Sequence, residues 1–94
     1  MKIRWSPKAV SDLKSIRDYI AKDNPTAARK VAARIKEATN RLMNFPFSGR
    51  AGRVPGTREL VIPGTSYIAA YAVHDDGVEI AAVLHGKQDW PDRF

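Results

Sequence analysis

The chain has no cysteine among its 94 residues. That excludes a disulfide framework and a thiolate nucleophile. Histidine is scarce too: two copies are too few for a zinc site of the structural kind. Neither a metal nor an organic cofactor is expected. No apolar run approaches the ~20 residues a membrane helix needs, and "MKIRWSPKAV" lacks the apolar stretch of a signal peptide. A cytoplasmic protein without membrane contact is expected. Negative charge is the last shortage, with ten Asp and Glu against sixteen Lys and Arg, a net +6. A surplus that large on so small a chain points to an acidic partner, either nucleic acid, a nucleoprotein or an acidic protein.

What is present is an ordinary globular composition, 44% apolar, and a length that suits a single domain over residues 1–94. "KIRW" alternates, with Ile3 and Trp5 on one face and Lys2 and Arg4 on the other, so it reads as a short strand. "SPKAV" opens a helix, with Ser6 as cap and Pro7 at the first helical position. Val10, Leu13, Ile16 and Ile20 form its apolar stripe, bordered by Tyr19. Asn24 and Pro25 repeat the start signal for a second helix. Ala28, Val31, Ile35, Ala38, Leu42 and Phe45 give it one continuous apolar face, and Arg29, Lys30, Arg34, Lys36 and Arg41 make the rest basic. So short a link predicts an antiparallel helical hairpin, whose apolar stripes need a sheet to cover them.

"PFSGRAGRVPGT" reads as a loop. "RELVI", "YIAAYAV" and "VEIAAVLH" read as three strands of an antiparallel meander. Pro63-Gly64 suits the centre of a type II turn, and Asp76-Gly77 a tight hairpin turn. Strict alternation puts Val78, Ile80, Ala82 and Leu84 on one face of the last strand and Glu79, Ala81, Val83 and His85 on the other. The predicted fold is α+β in the order βααβββ, with the hairpin on one sheet face and the other face, rimmed by basic loops, left for a ligand. The place of the first strand in the sheet stays open.

The polar groups this sheet gathers would serve RNA cleavage without a metal, which needs a base, cations for the phosphate and an acid for the leaving oxygen. His85 has the chemistry of base or acid. Arg50, Arg53 and Arg58 could clamp phosphate, and Trp90 could stack on a base. Lys87 and Arg93 add charge after the last strand. A hydrogen-bonded strand-end histidine, a Glu59 that faces away from Arg58 as half of a surface ion pair, and a Trp90 covering the sheet edge are the structural alternatives. His74, Asp75 and Asp76 suit a turn better than a metal site. Of Tyr67 and Tyr71, two steps apart on one strand face, one is expected in the core and one to show its hydroxyl.

"RWSPKAVSDLKSIRDYIAKDNPTAARKVAARI", "FPFSGRAGRVPGTRELVI", "YIAAYAVHDDGVEIAAVLHG" and "DWP" together resemble the RelE/ParE superfamily of toxins from type II toxin–antitoxin modules. The similarity spans Arg4 to Pro91, and its most specific parts are "GTREL", the YxxxYxV strand and "VLHG". The resemblance implies a helical hairpin on an antiparallel sheet, and a toxin held inactive in a hetero-oligomer by a cognate antitoxin. RelE-like members cut messenger RNA on the ribosome, whereas ParE-like members block DNA gyrase. The nucleases carry a phosphate-clamping arginine on the second meander strand, where this chain has Ile68. Isoleucine cannot replace that contact. The resemblance therefore favours a ParE-like toxin. The alternatives are a ribosome-dependent endonuclease using His85, Arg58 and Lys87, and a degenerate toxin acting only in an antitoxin–DNA complex.

Overall fold

The computed structural model describes residues 2–94. The elements are β1 (Lys2–Trp5), α1 (Pro7–Ala21), α2 (Pro25–Asn40), a 3-10 turn at Arg41–Met43, β2 (Arg50–Ala51), β3 (Arg58–Val61), β4 (Tyr67–His74) and β5 (Gly77–His85). They form one five-stranded sheet in the order β1-β5-β4-β3-β2. β3, β4 and β5 are the expected antiparallel meander. β1 pairs in parallel along β5, Ile3 opposite Val78 and Trp5 opposite Ile80. β2 is an added two-residue strand inside the segment read as loop, pairing with Arg58 and Glu59 of β3. No helix among the described residues is long and apolar enough to cross a membrane.

Local chemistry sets the helix starts. Ser6 Oγ accepts from Ala9 N at 3.0 Å, and Asn24 Oδ1 from Ala27 N at 3.0 Å. Each cap is followed by proline, whose missing N–H costs nothing there. The helices pack on each other and cover one face of the sheet. That core joins Ala9, Ile16, Ile35, Ala38, Leu42, Ile62, Ala69, Tyr71, Val78, Ile80 and Val83. Each fully buried large side chain among these is worth about 1.5–3 kcal/mol. Ala9, not Val10, fills the tight position beneath α1, and Val10 stays 55% exposed. Phe45 leaves the predicted stripe. α2 ends at Asn40, the 3-10 turn tightens the chain, and Phe45 is turned outward at 64% exposure.

β5 does not alternate through its length. Ala70 pairs with Ala82 but Tyr71 pairs with Ile80, so Ala81 is an extra residue in a bulge. Val78, Ile80 and Val83 consequently face the helices, while Ala82 and Leu84 face the opposite, open side. This corrects the alternation inferred above, because a bulge shifts the face of every later side chain. The start of α1 secures the bulge. Ser6 N donates to Ile80 O and Ser6 Oγ to Ala81 O, each at 2.9 Å, and Asp12 Oδ2 accepts from Val83 N at 3.0 Å.

Two turns complete the frame. Gly64 has φ 75°, which fits the expected type II turn. The β4–β5 loop is different: Asp75 and Asp76 are its centre, and no residue other than glycine has positive φ among the described residues. Gly77 already lies in β5, where a methyl group would collide with the carbonyl of Lys2 on β1. That glycine serves strand contact rather than the turn.

Candidate functional site

The open face of the sheet is where the expected ligand surface should lie, and it carries Ala70, Ala82 and Leu84 with Trp90 packed against them. Small alanines leave a shallow seat for the indole. The chain reaches it by folding back after β5. Gly86 N donates to Ser66 O at 2.9 Å, Gln88 Oε1 accepts from His85 N at 2.7 Å, and Trp90 Nε1 donates to His85 O at 3.4 Å. Trp90 thus covers the sheet, and the expected cationic hollow is filled from within the same chain.

Arg53 lies over the indole, its guanidinium carbon 3.8 Å from the ring centre, within the range of a cation–π contact. Glu59 holds that arginine. Arg53 Nε donates to Glu59 Oε2 at 3.0 Å and Arg53 N to the same oxygen at 2.8 Å. Arg50 Nη2 donates to Glu59 Oε1 at 3.0 Å. Glu59 itself is only 3% exposed. Burial pushes its carboxyl up. The hydrogen bonds from the Arg53 side chain and backbone, then from Arg50, outweigh that and leave it below the usual carboxylate range. The sequence left Glu59 on the strand face opposite Arg58, as one half of a surface ion pair with no partner assigned. The register opposite β2 and the loop to Arg53 give it two arginines.

Arg58 is engaged elsewhere. Its Nη1 donates to Gly49 O at 2.9 Å and to Phe47 O at 3.4 Å, and its guanidinium lies 4.9 Å from the Phe47 ring. Beside it Tyr71, fully buried, donates to Pro46 O at 2.8 Å and accepts from Gly49 N at 2.9 Å. Tyr71 is therefore the core tyrosine, and it pins the loop before β2.

His85 pairs with Tyr67, on the helix-covered side of the sheet. The two rings meet edge-on, with centres 5.6 Å apart. His85 Nδ1 accepts from Lys87 N at 3.1 Å, which in the neutral ring leaves the proton on Nε2. Burial, and then the Tyr19 phenol, push Tyr67 above the usual tyrosine range, so its hydroxyl is protonated at neutral pH.

His85 and Arg58 are not gathered into one site. His85 is opposite Tyr67 and Arg58 opposite Tyr71, roughly 13 Å along β4, with about 10 Å more across two strand spacings. Lys87 reaches His85 through its backbone, while its side chain is exposed, as is Arg93. Ile68 lies opposite Leu84 and Val61 and is 7% exposed, so the position where an arginine clamp is expected is a buried apolar one. What the open face does assemble is Arg50, Glu59, Arg53 and Trp90, two arginines braced by one buried carboxylate, one of them stacked over an indole. No group of three metal-ligating side chains is gathered among the described residues.

Comparison with known proteins agrees with this architecture. Residues 3–90 match the family of ParE toxins of the type II toxin–antitoxin system parDE. The chain is 47% identical over 90 residues to a Sinorhizobium fredii protein designated toxin Y4kP, covering 96% of this chain and 93% of that one. It is 34% identical over 84 residues to toxin RelE2 of Caulobacter vibrioides, covering 89% and 93%. Among solved structures, a chromosomal ParDE system of P. aeruginosa superposes with TM-score 0.80 at 28% identity, over 90% of this chain and 95% of that one. A YoeB–YefM complex of Staphylococcus aureus shares the fold, with TM-score 0.60 at 20% identity over the same shares. The bulged five-strand sheet under a helical hairpin, and the match along nearly the whole chain, make this protein a toxin of the ParE family of type II toxin–antitoxin systems.

Proposed function

We propose that this toxin arrests growth by binding DNA gyrase in the cytoplasm rather than by cutting RNA, and that an antitoxin holds it in a hetero-oligomer until then. The observation that carries the reading is the state of the would-be phosphate clamp. Ile68 is buried beneath the turn after β5, and Arg50 and Arg53 are paired to Glu59. A nuclease needs unpaired cations converging on one phosphate beside a base. Here Arg58 is tied to the 47–49 loop, and His85 lies on the helix-covered side of the sheet, away from Ile68 and the Arg50–Glu59–Arg53 group. The family match supports the gyrase reading. The structural neighbour from P. aeruginosa, itself a ParDE system, supports the antitoxin partner.

The similarity to a toxin named RelE2 favours one alternative, a ribosome-dependent endonuclease in which His85, Arg58 and Lys87 act together. Supercoiling by purified gyrase in the presence of the toxin separates the two readings. Inhibition or trapped cleavage is expected, with primer extension on cellular messages showing no codon-linked cuts. His85→Ala is expected to keep full toxicity on expression without the antitoxin. Loss of toxicity in that variant, together with message cleavage by the parent, would replace the gyrase reading with the nuclease. Uninhibited gyrase and unimpaired growth would leave a degenerate toxin that acts only in an antitoxin–DNA complex.

A further inference from the structure

The turn after β5 is closed by hydrogen bonds that converge on one residue. His85 N donates to Gln88 Oε1 at 2.7 Å. His85 O accepts from Gln88 N at 3.1 Å and from Trp90 Nε1 at 3.4 Å. His85 Nδ1 accepts from Lys87 N at 3.1 Å. Of these groups, Nδ1 is the one that titrates near neutral pH. What the turn delivers is the indole of Trp90, seated on Ala70, Ala82 and Leu84. Those three are 0%, 0% and 4% exposed. The imidazole on one side of the sheet is therefore wired, through the turn, to the cover on the other.

An imidazole changes charge between about pH 5 and 8, and once protonated both its nitrogens are donors. Nδ1–H would then face Lys87 N–H, two donors with no acceptor between them. Little around the ring offsets that conflict. Tyr67 of β4 meets it edge-on, with Tyr19 of α1 beyond. Lys87, on the turn itself, is a further cation. Asp89 and Asp92 follow on the tail, but among the described residues no carboxylate forms an ion pair with His85.

We propose that His85 is a pH-sensitive latch on the C-terminal turn. With Nδ1 unprotonated it closes the turn and seats Trp90. Protonation opens the turn and uncovers Ala70, Ala82 and Leu84. The sign follows from proton counting: the closed turn has no room for a proton on Nδ1, so the open form binds more protons and acid favours it. The other brace on the indole does not let go at the same time. Arg53 is held by Glu59, whose carboxyl lies below the usual carboxylate range and stays ionised near neutrality.

Nuclear Overhauser contact between the Trp90 indole and the Ala82 methyl, followed in the full chain, reads the latch directly. The closed-to-open ratio should fall by about three- to tenfold between about pH 7.5 and about pH 5.5, the effect of losing one hydrogen bond. Binding of an apolar dye should rise over the same interval. His85→Asn supplies an acceptor that does not titrate, so the contact should persist across the range. His85→Lys is a donor only, so the contact should be weak throughout. His74→Asn removes the other histidine, which stands near Glu79 at the far end of β4, and should leave the parent's response intact. An indole contact of constant strength in the parent would overturn the proposal. So would the same acid loss in His85→Asn, a seated indole in His85→Lys, or a response abolished by His74→Asn.

Discussion

Glu59 decides what two arginines can do. With Arg50 and Arg53 both donating to its carboxylate, neither is an unpaired cation on the open face. Its lowered carboxyl makes a pH prediction. The ionised form is favoured in the folded chain, so its contribution is complete above the ordinary value of 4.5 and is lost as pH falls through the lower folded value. Glu59→Gln should lower stability at neutral pH by about 2 kcal/mol, a moderate figure because both arginines remain half in water. It should also flatten the fall of the urea midpoint toward acid pH. An acid limb as steep as that of the parent protein would mean that other carboxylates carry it.

At the scale of elements, starts were more legible than faces. Ser6-Pro7 and Asn24-Pro25 announce both helices because capping is chemistry between residues a few places apart. The meander was legible for the same reason, since its turns lie in the sequence itself. The position of β1 was not, because parallel pairing with β5 joins residues some 75 places apart and leaves no local mark. The bulge at Ala81 was equally silent: it depends on Ser6 and Asp12 arriving from α1. The site suffered most from this, since the placement of His85 hangs on that bulge. Gly77 is the one local sign of β1, misread as a turn glycine. Gly77→Ala should therefore force β1 from β5 at a cost of about 1–3 kcal/mol. Hydrogen exchange should show it first in the amides linking the two strands, with the hairpin at Asp75–Asp76 still closed.

Across the whole molecule, the helices cover one sheet face and the C-terminal turn covers part of the other. Trp90 is half-buried and seals Ala70, Ala82 and Leu84. Trp90→Ala should reduce stability by about 1–2 kcal/mol, consistent with partial loss of an aromatic side chain's burial. It should also raise the binding of an apolar dye. A folded variant with unchanged urea midpoint would show that the tail contributes nothing to the fold.

Because one surplus residue in β5 sets the facing of everything after it, the histidine at its end is a matter of parity. A single-codon deletion at Ala81 would rotate the strand's last residues by half a turn. His85 would then emerge beside the indole and Arg53, while Leu84 would swing beneath the helices. Gain or loss of one alanine is thus the shortest genetic distance between a sheet whose imidazole is tucked under its lid and one that displays it next to basic side chains.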